Sequence, residues 1–102
     1  MNIEIESGKV YTFKLNSGEE LIAKYIGEQP NGYIEVSNPV SVAPGPQGMG
    51  LVPSLFTADP SNSVSINTRN VAMCAETDEA VKSKYIEATT GIKVPDKKII
   101  MG

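Results

Sequence analysis

Histidine and tryptophan are absent from these 102 residues, and cysteine occurs once. Without histidine the commonest general base and neutral-pH metal ligand is gone, which removes Ser-His and Cys-His nucleophilic schemes and most zinc sites together. A single cysteine forbids an intrachain disulfide. Cys74 sits in the apolar run Val71-Ala72-Met73-Cys74 with nothing basic beside it to lower its pKa, so it reads as a small buried apolar residue in a reducing cytoplasm. Phosphate-loop and dinucleotide patterns are missing as well, because the glycines of Ala43–Gly50 lack the lysine and the strand-to-helix setting. No apolar run approaches the roughly 20 residues that span a bilayer, and residues 1–9 carry Glu4 and Glu6 where an export signal has a basic cluster and an apolar core. An excess of positive charge is also lacking. Nine lysines and arginines stand against 12 acids, a net charge of −3, which excludes coating of nucleic acid by bulk electrostatics. The expectations are therefore no enzyme, no cofactor, no metal and no membrane attachment, in a cytoplasmic protein.

What is present is an ordinary globular composition, 40% apolar and 21% charged, at the size of one small domain. Such a domain leaves much of its surface in water, so association with copies of itself would add stability. Most of the chain carries the two-residue period of β-structure. Tyr11, Phe13 and Leu15 alternate with Thr12 and Lys14, and Asn16-Ser17-Gly18 then turns the chain. From Glu20 to Ile26 both parities are apolar, Leu21, Ala23 and Tyr25 against Ile22 and Ile26, which predicts a long central strand covered on both faces or strongly bent. Gln29-Pro30-Asn31-Gly32 predicts a tight hairpin turn. In the next strand Ile34, Val36, Val40 and Val42 share a parity, interrupted at Asn38-Pro39, where a bulge, bend or edge is expected. Ala43–Gly50, with two prolines and three glycines, predicts a loop. A further strand weakened by Pro53 is expected over 51–58, a turn at Asp59-Pro60-Ser61-Asn62, and two short strands around Thr68-Arg69-Asn70. From Thr77 the period becomes helical, with Val81, Tyr85, Ala88 and Ile92 on one face, Thr77 as N-cap, acids in the first turn and Gly91 as the stop. Residues 92–102 form an apolar-ended tail. The chain reads as a single domain, 1–102, with strands over 9–76, a helix over 77–91 and that tail.

Phe13-Lys14-Leu15-Asn16-Ser17-Gly18-Glu19-Glu20-Leu21-Ile22-Ala23 resembles the start of the first Sm motif, and Val64-Ser65-Ile66-Asn67-Thr68-Arg69-Asn70-Val71 is similar to the second, a β-branched strand, an arginine turn and another strand. The likeness is to the Sm-like family, which includes the LSm and Hfq proteins, and within it to the divergent members carried by marine phages. It covers roughly Lys9 to Ala75. The family usually has glycine where Asn70 stands, and its helix at the other end of the chain. The fold this implies is mainly β: a small, five-stranded, strongly bent open barrel, here with one C-terminal helix. It also implies a cyclic homo-oligomer of roughly five to seven subunits, and single-stranded RNA or DNA as ligand. Ser37, Asn38, Thr68, Arg69 and Asn70 are then the nucleic-acid-binding residues, in host cytoplasm if the protein is viral.

Each of these residues has a plainer reading. Asparagine before proline is a common turn device, and a turn arginine often pairs with a neighbouring carboxylate. Tyr11, Tyr25 and Tyr33 could stack on bases, but strands favour tyrosine for packing alone, so core or interface use is expected and none is taken as a site residue. Glu76, Asp78 and Glu79 are accounted for by the helix start. A second function class, a structural or assembly module that binds a protein partner, is suggested by the negative charge, the proline-rich stretch and the apolar tail.

Overall fold

The computed structural model describes residues 4–46 and 48–90. Six strands form one antiparallel sheet: β1 (Val10–Leu15), β2 (Glu20–Gln29), β3 (Tyr33–Gly45), β4 (Gly48–Pro53), β5 (Val64–Asn67) and β6 (Val71–Glu76), followed by helix α1 (Glu79–Thr90). The strand order is β4-β3-β2-β1-β6, and β5 also pairs with β3. Long β3 thus carries two partners end to end on one edge, β5 along Tyr33–Val36 and β4 along Val40–Gly45. The five strands implied by the resemblance become six because residues 54–63 leave the sheet and split the partner of β3 into β4 and β5.

The sheet is curled. Across the order β5-β3-β2-β1-β6, four gaps of about 4.8 Å would separate the outer strands by about 19 Å if the sheet were flat. Yet only Thr68–Asn70 join β5 to β6, and the four steps from Asn67 to Val71 reach about 14 Å at most. The edges must bend toward each other. No ladder closes them into a barrel among the described residues.

Curling divides the apolar residues into two cores. On the inside, Tyr11, Phe13, Leu21, Ala23, Tyr25, Ile34 and Val36 are buried together, with Leu15, Val64, Ile66, Val71 and Cys74 packed around them. On the outside, Val10, Ile22 and Val40 are covered by Tyr85 and Val81 of α1. The two-faced apolar pattern of β2 has this cause. Ile26 is an exception: it falls at a register shift between Tyr25 and Gly27 and is left exposed.

Asn38 decides which residues of β3 face which core. Its φ of 51° lies in the left-handed region, which asparagine tolerates better than most residues. Between the pairs Lys24↔Ser37 and Ile22↔Val40, β3 spends three steps where β2 spends two. That bulge reverses the alternation. Val36 faces the inner core while Val40 and Val42 face the outer one, so the shared parity of Ile34, Val36, Val40 and Val42 is not a shared face.

The expected loop over Ala43–Gly50 is largely paired strand: Ala43 lies opposite Gly50, Pro44 opposite Met49 and Gly45 opposite Gly48 in the β3–β4 hairpin. The last β2 partner of β3 is Leu21, opposite Ser41, so beyond that point β3 is paired on one side only and the missing N–H of Pro44 is tolerated. Strand β4 accordingly begins before the expected 51 and stops at Pro53.

Asp78, not Thr77, caps α1: its Oδ2 accepts from the N–H groups of Ala80 (3.1 Å) and Val81 (3.3 Å). Thr77 is buried, its Oγ1 2.9 Å from that of Thr12. Tyr85 docks the helix. Its hydroxyl donates to the Ser37 carbonyl at 3.1 Å and accepts from the Lys24 backbone, and so plugs the sheet where the bulge disturbs the ladder. The expected helical stop, Gly91, the apolar position Ile92 and the tail lie outside the described residues. Among those described, no helix is long and apolar enough to cross a membrane.

Burial pushes the Tyr85 phenol up to about 12 from an ordinary 10.0. A group whose pKa is raised by folding contributes stability that is complete below its unfolded pKa and lost as pH climbs through the folded one. Stability should therefore decline between pH 10 and 12. Urea midpoints across that range should show a smaller decline in Tyr85→Phe than in the wild type; equal slopes would rule out Tyr85 as the cause.

Candidate nucleic-acid interface

Three turns meet at one rim of the curled sheet. The first is residues 16–18, between β1 and β2. The second is Pro30–Gly32, between β2 and β3, with Asn31 (φ 66°) and Gly32 (φ 80°) both left-handed. The third is the 3-10 turn Thr68–Asn70 between β5 and β6. Pairing of Tyr33 with Asn67 brings the second turn to the third, and the Thr68 hydroxyl donates to the Gly32 carbonyl at 2.6 Å. From the other side, the Asn16 side-chain amide donates to the Arg69 carbonyl (2.8 Å) and its backbone N–H to the Asn70 carbonyl (2.7 Å). Asn67 caps the turn, its Oδ1 accepting from the Arg69 N–H at 3.0 Å.

Arg69, the only arginine in the chain, is held by its backbone on both sides while its side chain is exposed. Among the described residues no carboxylate lies within ion-pair distance of it, whereas Lys9 meets Glu6 and Glu76, and Lys14 meets Glu20. The plainer reading of Arg69 as one half of a salt bridge thus finds no partner here. Beside the turn lies a shallow cleft of about 150 Å³ lined by Glu28, Gln29, Gly32, Tyr33, Ile34 and Thr68. Tyr33 is 37% exposed, so its ring is available at the surface. The turns of this rim carry an exposed guanidinium, an exposed phenol ring and the amides of Asn31 and Asn70, the group types that stack on and hydrogen-bond planar bases. Glu28 in the same cleft disfavours a bare phosphate.

The models of known protein families and the curated proteins give no match to this chain.

Of the five residues expected at a nucleic-acid site, the structure brings Thr68, Arg69 and Asn70 together on one turn. Ser37 and Asn38 lie elsewhere, at the β3 bulge beneath α1. The Ser37 carbonyl is taken by Tyr85, and Asn38 lines a separate cleft with Pro39, Val40 and Thr89. Asn16, Asn31, Gly32 and Tyr33 occupy the rim instead. The Asn31-Gly32 pair was legible as a turn, but its contact with Thr68 depends on the β3–β5 register.

Cys74 points into the inner core and is half-buried, and burial raises its thiol pKa. It should react slowly with thiol reagents at neutral pH. Among the described residues, no group of three or more histidine, cysteine, aspartate or glutamate side chains is placed to hold a metal.

Proposed function

We propose that this protein is a ring-forming, Sm-like binder of single-stranded nucleic acid, RNA foremost, acting without catalysis. The observation that carries this reading is Arg69, which has no carboxylate partner among the described residues, on a turn stapled to its neighbours at the sheet rim. The strand order supports it as well, since among the described residues β4 and β6 each keep one unpaired edge, and joining β6 of one copy to β4 of the next would seal both. A ring would then repeat one arginine around a common opening, which lets an acidic chain hold nucleic acid by many weak contacts.

The test is fluorescence anisotropy with uridine-rich and adenine-rich oligonucleotides at low salt, alongside light scattering for mass. Arg69→Ala should weaken binding at least tenfold while leaving the mass unchanged. Because the contacts are to bases more than to phosphates, affinity should fall with salt less steeply than for a basic groove. A monomer at high concentration, or equal binding by the variant, would count against the proposal. The competing class is an assembly module for a protein partner, favoured by the exposed Met49, Leu55 and Phe56; binding that survives nuclease treatment and Arg69→Ala would favour it.

A further inference from the structure

Residues 54–63, which split the sheet edge, form a fastened loop. At one end the Ser54 N–H donates to the Pro39 carbonyl (3.0 Å) and its hydroxyl meets that of Ser41 (2.9 Å). At the other, the Ser63 hydroxyl donates to Glu35 (2.5 Å). Within it, Asp59 Oδ1 accepts from both the N–H (3.0 Å) and the hydroxyl (2.8 Å) of Ser61. Held on this loop, Phe56 is 79% exposed, the most exposed of the large apolar residues among those described, and its neighbour Leu55 is 50% exposed.

Beside Phe56 lies an open cleft of about 190 Å³ between the loop, β3 and the end of α1, with Pro39, Pro53, Leu55, Val64 and Ala88 among its walls. Phe56 is not one of them. A cavity of about 150 Å³ with apolar walls is enough to admit a benzene ring, so the cleft has room for one phenyl group. Each chain thus offers one protruding phenyl ring and, one residue from it, one space of that size. A knob and a hole on the same patch match under a two-fold axis, where each copy fills the other. We propose that two copies of this chain associate through this patch, with Phe56 of each inserted into the other's cleft.

Phe56, Leu55 and the cleft walls would bury about 400 Å² per copy, or about 800 Å² in total, below the 1,200–2,000 Å² of stable complexes. The contact is therefore weak, with a dissociation constant on the order of 0.1 mM, and is strengthened where several copies act together. It is independent of edge pairing between β4 and β6.

Sedimentation from about 10 µM to 1 mM, a range bracketing that constant, should show the dilute mass, whatever it is, doubling with concentration. Phe56→Ser should abolish the doubling, and so should Ala88→Leu, which fills the cleft from an exposed helical position that tolerates leucine. The methyl signals of Val64 and Ala88 should shift with concentration in the wild type and stand still in Phe56→Ser. Met73→Asp, on the free edge of β6, should leave the doubling intact even if it lowers the dilute mass, so the ring and the two-fold contact fail separately. A wild type that never doubles, or a Phe56→Ser that still does, overturns the proposal.

Discussion

Phe13→Ala is expected to remove about 3–5 kcal/mol of folding stability, as deletion of a fully buried phenylalanine does when its surroundings cannot collapse. Phe13 is completely buried at the centre of the inner core. It lies on β1 between Leu21 of β2 and Cys74 of β6, so the cavity would open where three strands meet. Small domains hold only about 5–15 kcal/mol in total, so the variant should lose between about a fifth and all of its stability. Urea denaturation followed by circular dichroism measures this directly. A loss under about 1 kcal/mol would mean that the inner core repacks freely, contrary to close packing around Phe13.

Asn38→Val should be nearly as damaging, by about 2 kcal/mol or more, because a β-branched residue is disfavoured at positive φ. Its backbone must stay left-handed if Val36 and Val40 are to face opposite cores. Relaxing Asn38 to an extended conformation would turn either the inner or the outer set of β3 side chains to the wrong side. Asn38→Gly removes the side chain but keeps the conformation available, so it should stay within about 0.5 kcal/mol of wild type. This pair of variants separates two roles for the residue. If oligonucleotide affinity is unchanged in Asn38→Gly, the side chain serves the bulge; a loss of affinity at constant stability would place it in contact with the ligand.

The rim and the bulge differ in how far they could be foreseen. Thr68, Arg69 and Asn70 are neighbours in the chain, and a turn between two β-branched runs is a local feature that turn chemistry specifies. Their partners are not local. Thr68 meets Gly32 36 residues away and Arg69 meets Asn16 across 53, separations that only pairing registers bridge. Ser37 and Asn38 belong by sequence to the interrupted strand, and nothing local shows that the interruption is a left-handed bulge under a helix. The capping residue illustrates the same limit at short range. Thr77 and Asp78 are both good caps, and the choice fell to Asp78 because Thr77 is drawn into the sheet by Thr12.

By itself the sequence determined the β-rich class, the tight turns at 16–18 and Pro30–Gly32, the two-faced β2 and the C-terminal helix, since each depends on side-chain period and backbone preference over a few residues. Tertiary structure decided that residues 54–63 leave the sheet, that Val40 parts company with Val36, and that three distant turns share a rim with Arg69. Those outcomes follow from how strands register and how far a curled sheet must bend to let three residues connect its edges. Such constraints act across the whole chain and leave no mark in any short stretch of it.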